Sequence, residues 1–412
     1  MSKNYAAIYT SPNDSIALEQ KIFIKEESTR GVLVAPTGAD FIFTLNGASV
    51  NFTQPIESSP HKSGRHHTSI IKQKTSTEWT LPTFFNIDTT QGAASLTEID
   101  PGMRVLWKSL MGKEDVTGGS PVYTSGEAPS ITFSIFEVGD LWSKQAPGCF
   151  VDAGNASFPG DGQSQIEWSG MAKTSLLVGM SKSVTANAAN VVTVAATEGT
   201  RFPVGALVMI IKSDGVTRST DTPTGSPRTV TAATANTVTL SGAVLTDADG
   251  TVGTGIYLCY YEPATAVAVN DPQTGLVGSI TIAGLGSADC VRSASINMVN
   301  NHEPQDFCFG EEGLGGRLFT PGGRFTAEVT LELNLNHELV EFLNGLKDFA
   351  GENITLILGS ASGRHLEILV PKAQFPIPEI STPDTGTIPV TFTGNAYQTS
   401  LDAADEVTVS FL

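Results

Sequence analysis

The sequence predicts a mainly β chain built from two tandem, similar units, each a β-sandwich or half-barrel with one flanking α-helix, and a small β domain inserted between them. Three observations predict this. Short segments recur in the same order in the two halves, each half carries one amphipathic helix signal at the same point in that order, and most of the remainder alternates β-branched or aromatic residues with polar ones between Gly and Pro. The first echo sets Ala48-Ser49-Val50-Asn51, with Glu57 six positions later, against Ala294-Ser295-Ile296-Asn297, with Glu303 six positions later. The helix signal at Met103, Leu106, Trp107 and Leu110 repeats at Leu339, Phe342, Leu343 and Leu346 with the same i, i+3, i+4, i+7 spacing. Ala156-Ser157-Phe158-Pro159 then matches Ala373-Gln374-Phe375-Pro376, and Ile166–Ala172 matches Val390–Ala396. The offsets of 246, 236, 217 and 224 residues drift as loop insertions and deletions make them, while the order never breaks. Repeats of this kind constrain architecture before any single site does.

Taken in order, residues 1–40 read as an extended N-terminal arm, with KIFIK at Lys21–Lys25 a short alternating strand. The first unit covers 41–182, with strands expected at 41–53 (including a turn at Asn46-Gly47), 68–81, 130–138, 148–151 and 163–173. Its helix has Asp100 placed to cap it, Pro101 in the first turn and Gly112 to end it. Residues 183–263 have no counterpart in the other half. Five short strand signals there, separated by Gly, Asp and Asn turns, suggest a self-contained small barrel or sandwich. The second unit, 264–412, has strands at SASINMV, RFTAEVTLEL, NITLILG, HLEILVPKAQF and TIPVTFTGNAY and a helix over Glu338–Lys347. Its last strand, 406–412, is suited to adding to a neighbour's sheet edge.

Composition narrows the classes. Hydrophobic residues make up 40% of the 412, enough for more than one core. No apolar run approaches the roughly 18 residues needed to cross a bilayer, so the expectation is a soluble chain with no membrane partner. The opening MSKNYAAIYTSPNDS lacks the basic-then-apolar order of a secretory signal. Cys149, Cys259, Cys290 and Cys308 form no CxxC pair, which fits buried or incidental thiols rather than a disulfide framework. Against 42 Asp and Glu stand 24 Lys and Arg, a net charge of −18, and no basic block supplies a nucleic-acid-binding face. An acidic surface still matters to DNA, because it repels phosphates and prevents the sticking that counterion release drives.

No catalytic or cofactor motif stands out, and the chain is not expected to be an enzyme. His61, His66 and His67 cluster without a carboxylate or cysteine at ligand spacing. Asp247-Ala248-Asp249-Gly250 resembles the start of a calcium loop but lacks the Glu at its twelfth position, so a plain Asp-Gly turn is the simpler reading. Asp152, Asp161 and Glu167 are the carboxylates that a β-sandwich glycosidase would need to pair.

The order of a strand pair bearing a long loop, one helix, and strands with a Phe-Pro step and a Thr-Gly-Asn-Ala segment resembles the major tail tube proteins of tailed bacteriophages. The best match is HLEILVPKAQFPIPEISTPDTGTIPVTFTGNAYQ; GCFVDAGNASFPGDGQSQIEWSGMAK in the first unit is similar but more divergent. The resemblance covers roughly two thirds of the chain and rests on collinear order, since no invariant catalytic triplet defines the family. It implies units that close six to a ring, with rings stacked into a hollow tube. Two units per chain then make the ring a homotrimer; six chains giving twelve units is the alternative. It further implies a location in the virion tail after assembly in the host cytoplasm, contact with other tail proteins, and genomic DNA passing through the lumen without specific binding. A tail terminator, a baseplate ring protein and a host-surface glycan-binding module are the competing readings. The long loops at 54–67 and 300–323 correspond to those that reach the adjacent ring, which makes Arg65, His66, His67, Glu311, Glu312 and Arg324 candidate inter-ring contacts. The insert is expected to project outward as a dispensable decoration. Phe325, Val329 and Leu331 leave the lumen-facing side of the second long strand unassigned.

Overall fold

The computed structural model describes residues 3–11, 20–58, 70–85, 99–116, 121–126, 131–185, 190–219, 227–241, 254–263, 278–283, 285, 291–305, 309–310, 314, 318–321, 323–346, 351–359, 365–380, 382–383 and 385–412. The fold is mainly β, with large antiparallel sheets. Ten strands of the main sheets come from the first half of the chain: β1 (Lys21–Glu26), β2 (Ser49–Thr53), β3 (Ser76–Phe84), β4 (Phe133–Val138), β5 (Ser143–Pro159), β6 (Gln165–Ala172) and β7 (Leu176–Val178), with the short Phe41–Ile42, Gly112–Asp115 and Val122–Ser125 beside them. Seven come from the second: β8 (Gly278–Ile282), β9 (Val291–Val299), β10 (Thr326–Asn334), β11 (Glu352–Gly359), β12 (His365–Gln374), β13 (Pro389–Ala396) and β14 (Thr408–Phe411). The helices are α1 (Tyr5–Thr10), α2 (Pro101–Met111) and α3 (His337–Gly345).

The two sets are paired in the same order. In the first, β1 pairs with β4, β4 with β5, β5 with β6, β6 with β3 and β3 with β2, while β7 adds to β5. In the second, β8 pairs with β11, β11 with β12, β12 with β13, β13 with β10 and β10 with β9, while β14 adds to β12. Registers agree to single residues. Trp79 lies between Val50 and Gly170, as Val329 lies between Ile296 and Gly394. The bulge between Ala146 and Cys149 of β5 recurs between Val370 and Ala373 of β12. One sequence echo does not survive this test. Phe150 pairs with Met171 and Gln374 with Asn395, so the counterpart of Gln374 is Phe150 rather than Ser157, and the match of Ala156–Pro159 with Ala373–Pro376 is out of register. Short apolar alternations recur in any pleated strand, and hydrogen-bond register is the stricter criterion.

Alternation explains how these strands pack. β3 buries Thr77, Trp79, Leu81 and Thr83, and β10 buries Ala327, Val329, Leu331 and Leu333, each turning the intervening residues outward. The apolar sides share one core with α2 and α3, in which Trp107 of α2 meets Trp168 edge-on at 4.9 Å and Phe342 of α3 meets Phe392 at 6.1 Å. Asp100 occupies the N-cap of α2 without a side-chain capping bond, Pro101 fills the first turn, and Gly112 ends the helix with φ of 80°. In α3 the Asn336 side chain accepts from the Leu339 amide at 2.7 Å. GCFV, expected as a separate strand, is the middle of the 17-residue β5.

Two expectations change. Residues 3–11 and 20–40 are folded in: β1 lies in the first set, and α1 packs on the inserted sheet, with the Tyr5 amide donating to the Gly215 carbonyl at 2.7 Å. The insert is a six-stranded sheet in the order Met180–Lys182, Tyr257–Tyr260, Leu207–Ile211, Arg228–Ala233, Thr237–Leu240, Val191–Thr193, and it is not self-contained. Its core takes in Tyr5, Phe23, Phe136 and Val138, and the buried Gln145 side chain both donates to the Leu207 carbonyl and accepts from its amide, each at 2.7 Å. All six residues of β4 are buried, because Phe133 and Ile135 face the main core while Phe136 and Val138 face the insert.

Candidate functional site

The sets meet at two places: β14 pairs with Val122–Ser125, so the C-terminal strand expected to add to a neighbour's edge is held on both sides within the chain, and β5 pairs with β9, Ala153–Pro159 against Ser293–Val299. This joint makes β2-β3-β6-β5-β9-β10-β13 one continuous antiparallel sheet. One side faces the core; the other bears rows of polar residues that cross from one set to the other. One row runs Pro82, Glu167, Asn155, Asn297, Glu328, Asn395, and the next runs Gln165, Ser157, Ser295, Thr330, Thr393. Glu78 stands beside Asn51, and Glu332 beside Ser293 and Thr391. Among the described residues these rows carry four carboxylates, Glu78, Glu167, Glu328 and Glu332, and no Lys or Arg. The cation that reaches them is Arg292, whose Nη1 lies 3.0 Å from Glu332. Such a surface offers hydroxyls and amides for hydration and a negative field toward any polyanion.

Strict alternation in TAEVTLELN assigns this face. Phe325, Val329 and Leu331 in fact share one phase with Ala327 and Leu333 on the core side, so Glu328 and Glu332 point away from it.

A two-stranded arm rises from each of the β2–β3 and β9–β10 connections. The first pairs Ile56–Ser58 with Ile70–Lys72, the second His302–Pro304 with Phe319–Pro321. The second arm is docked on β5: the His302 and Phe319 rings stack at 4.6 Å, and Phe319 meets Phe150 at 4.3 Å. The His302 amide donates to Asp152 Oδ1 at 2.9 Å, and Asn300 Nδ2 donates to the Val151 carbonyl at 3.0 Å. Burial pushes the His302 imidazole down to about 4, against a smaller upward pull from Asp152. The first arm leaves Ile56, Ile70 and Ile71 exposed.

The sequence-derived candidates fall mostly outside this description. Arg65, His66, His67, Glu311 and Glu312 lie outside the described residues, as do His61 and Asp247–Gly250. Arg324 is exposed at the root of the second arm, where its carbonyl accepts from Asn301 Nδ2 at 2.9 Å. Asp152, Asp161 and Glu167 are spread along the β5–β6 hairpin. Asp152 sits at a bulge and Asp161 in the turn, separated by most of a strand, roughly 20 Å at the usual rise. Glu167, opposite Asn155, is offset by three positions from Asp152, whose carboxylate is engaged by the second arm. They do not form the paired carboxylates of a glycosidase. No cluster of three His, Cys, Asp or Glu side chains able to hold a metal occurs among the described residues.

No protein-family model and no curated protein matches this chain.

Proposed function

We propose that this chain is a structural virion protein, the subunit of a bacteriophage tail tube, in which two copies of one tube unit follow each other. The observation that carries the reading is the acidic, hydroxyl- and amide-rich sheet face that continues unbroken through both strand sets. Wrapped around an axis, that face lines a channel in which DNA finds repulsion and hydration instead of cationic anchors, so a genome passes without lodging. The matched pairing order of the two sets, each with one helix on the core side, supports duplication. Three chains then supply six wall units and form a trimeric, pseudo-sixfold ring; six chains would give a wider bore. Ring closure also removes the open sheet edges that a solitary subunit exposes. Chemistry is not part of this reading, and no cofactor is required.

Electron microscopy of the purified protein with rotational averaging tests it. Stacked rings of three chains with six similar wall units are expected. Single rings that never stack would indicate a terminator or baseplate ring instead, and monodisperse particles that neither ring nor stack would overturn the proposal.

A further inference from the structure

We infer that the chain carries, in its own β5–β9 joint, the template for its contact with the next copy: β2 and the first arm of one molecule dock on the segment following β12 of another, in the register that joins the two sets internally. The inference rests on the self-assembly reading and names the surfaces and residues that assembly uses.

Three observations carry it. The first is that the outer ends of the two sets are the unfilled counterparts of the internal joint. β9 is held between β10 and β5, whereas its equivalent β2 has β3 as its one strand partner among the described residues, its outer edge being met by the Lys144 side chain, whose Nζ donates to the Val50 carbonyl at 3.0 Å. β5 continues past Phe150 to Pro159 along β6 and β9, whereas β12 stops at Gln374 and Ile377–Ile380 carries no strand pairing.

The second is that residues buried in the joint have exposed apolar equivalents at the outer ends. Met298 is 0% exposed and its counterpart Phe52 is 46%. His302 and Phe319, at 9% and 4%, correspond to Ile56 and Ile70, at 65% and 66%. On the receiving side, the fully buried Ala156 corresponds to Ile380, which is 42% exposed, and Ile377 beside it is 54% exposed. Isolated apolar residues are ordinary on a surface, but these five occupy the two complementary halves of an interface that the chain already makes once.

The third is that the arm register is shared. Ile56 lies opposite Lys72 as His302 lies opposite Pro321, so the described root of the first arm is paired like that of the docked one. Pro376 and Pro378 stand at the positions of Asp152 and Gly154 and carry no N–H, so the contact makes fewer ladder bonds than the internal joint and rests more on the apolar residues. Because the two surfaces differ, the contact is head-to-tail and propagates until a ring closes.

Asn155 lies opposite Asn297 in the joint. Their equivalents are Glu379 and Asn51, both exposed. Directly opposed residues of an antiparallel pair sit about 4.5–5.5 Å apart at Cα, within disulfide reach. Full-length N51C and E379C proteins are mixed, oxidised and run on non-reducing gels. A heterodimer from the mixture and none from either variant alone is expected, with the N51C/E379C double variant giving a ladder that ends at the ring. Phe52→Asp, at an exposed position, is expected to reduce ring yield at least tenfold with unchanged circular dichroism. Homotypic cross-links, or rings that form without the mixed cross-link and tolerate Phe52→Asp, would overturn the inference while leaving the tube reading standing. An absence of rings from the unmodified protein would overturn both.

Discussion

Gly170→Ala and Gly394→Ala are expected to be unusually costly for the addition of one methyl group. Gly170 lies in β6 between β5 and β3, and a Cβ there overlaps the Phe150 carbonyl oxygen and meets Trp79 Cζ2 at 2.8 Å. Gly394 is held alike, its Cβ overlapping the Gln374 carbonyl oxygen and meeting Phe375 Cδ1 at 2.6 Å. The neighbour is backbone in both cases, so the methyl is accommodated only by drawing β5 or β12 away from the sheet. Overpacking of this kind costs about 1–3 kcal/mol. Stretching one or two ladder hydrogen bonds adds up to about 1 kcal/mol each. The stiffer unfolded chain returns only about 0.4–1 kcal/mol. Destabilisation by about 2–3 kcal/mol follows, read as a lower urea midpoint by fluorescence of the buried Trp79, Trp107 and Trp168. Gly345→Ala is the control: nothing lies within 4 Å of that Cβ, and Ala at the end of α3 is expected to be neutral or stabilising by up to about 1 kcal/mol. A Gly170→Ala protein as stable as the Gly345→Ala protein would refute the register assigned between β5 and β6.

Two further outcomes concern titrating groups. His302 is depressed from 6.5 to about 4 when folded, so the unfolded chain binds its proton more readily; its contribution is complete above pH 6.5 and is lost as pH falls toward 4. His302→Phe, which keeps the stack on Phe319, is expected to flatten the stability difference between pH 5 and pH 7, and an unchanged difference would count against the docked arm. For Glu262, burial raises the carboxyl pKa, but Lys3 at 3.1 Å and Lys21 at 2.7 Å outweigh it and the net shift is downward. Its stabilisation is therefore present above the ordinary carboxylate range and lost as pH falls below it. Glu262→Gln strands two lysines that are only partly buried, at a cost of about 1–3 kcal/mol, and amide exchange over Tyr5–Thr10 is expected to accelerate. Unchanged protection there would mean that α1 is held by its apolar contacts alone.

Period-2 alternation and the ordered echoes were enough to read a mainly β chain with two helices at matching places, because which side chains face the core is written locally in the order of residues. Gly170 and Gly394 stood out as an echo in the sequence, yet only the strands packed on either side explain why both must be glycine. Which residues share the polar face was likewise half legible. The alternation of Thr326–Asn334 separates Glu328 and Glu332 from the core side, but placing Glu167 and Asn155 in a row with Glu328 required the β5–β9 pairing between residues some 140 positions apart. Short motifs misled where register mattered, as the Ala156–Pro159 echo did. The arm-like reading of residues 1–40 failed for the same reason: β1 and α1 bury Phe23 and Tyr5 against partners more than 100 residues away, and no local signal distinguishes a solvated extended segment from one that finishes a distant sheet. Local chemistry thus determined the alternation of the strands and the two ends of α2. Tertiary structure alone decided the register between the sets, which arm is docked and which is bare, and how far the insert is built into the body, because hydrogen-bond register and burial are set by contacts that only the folded chain brings together.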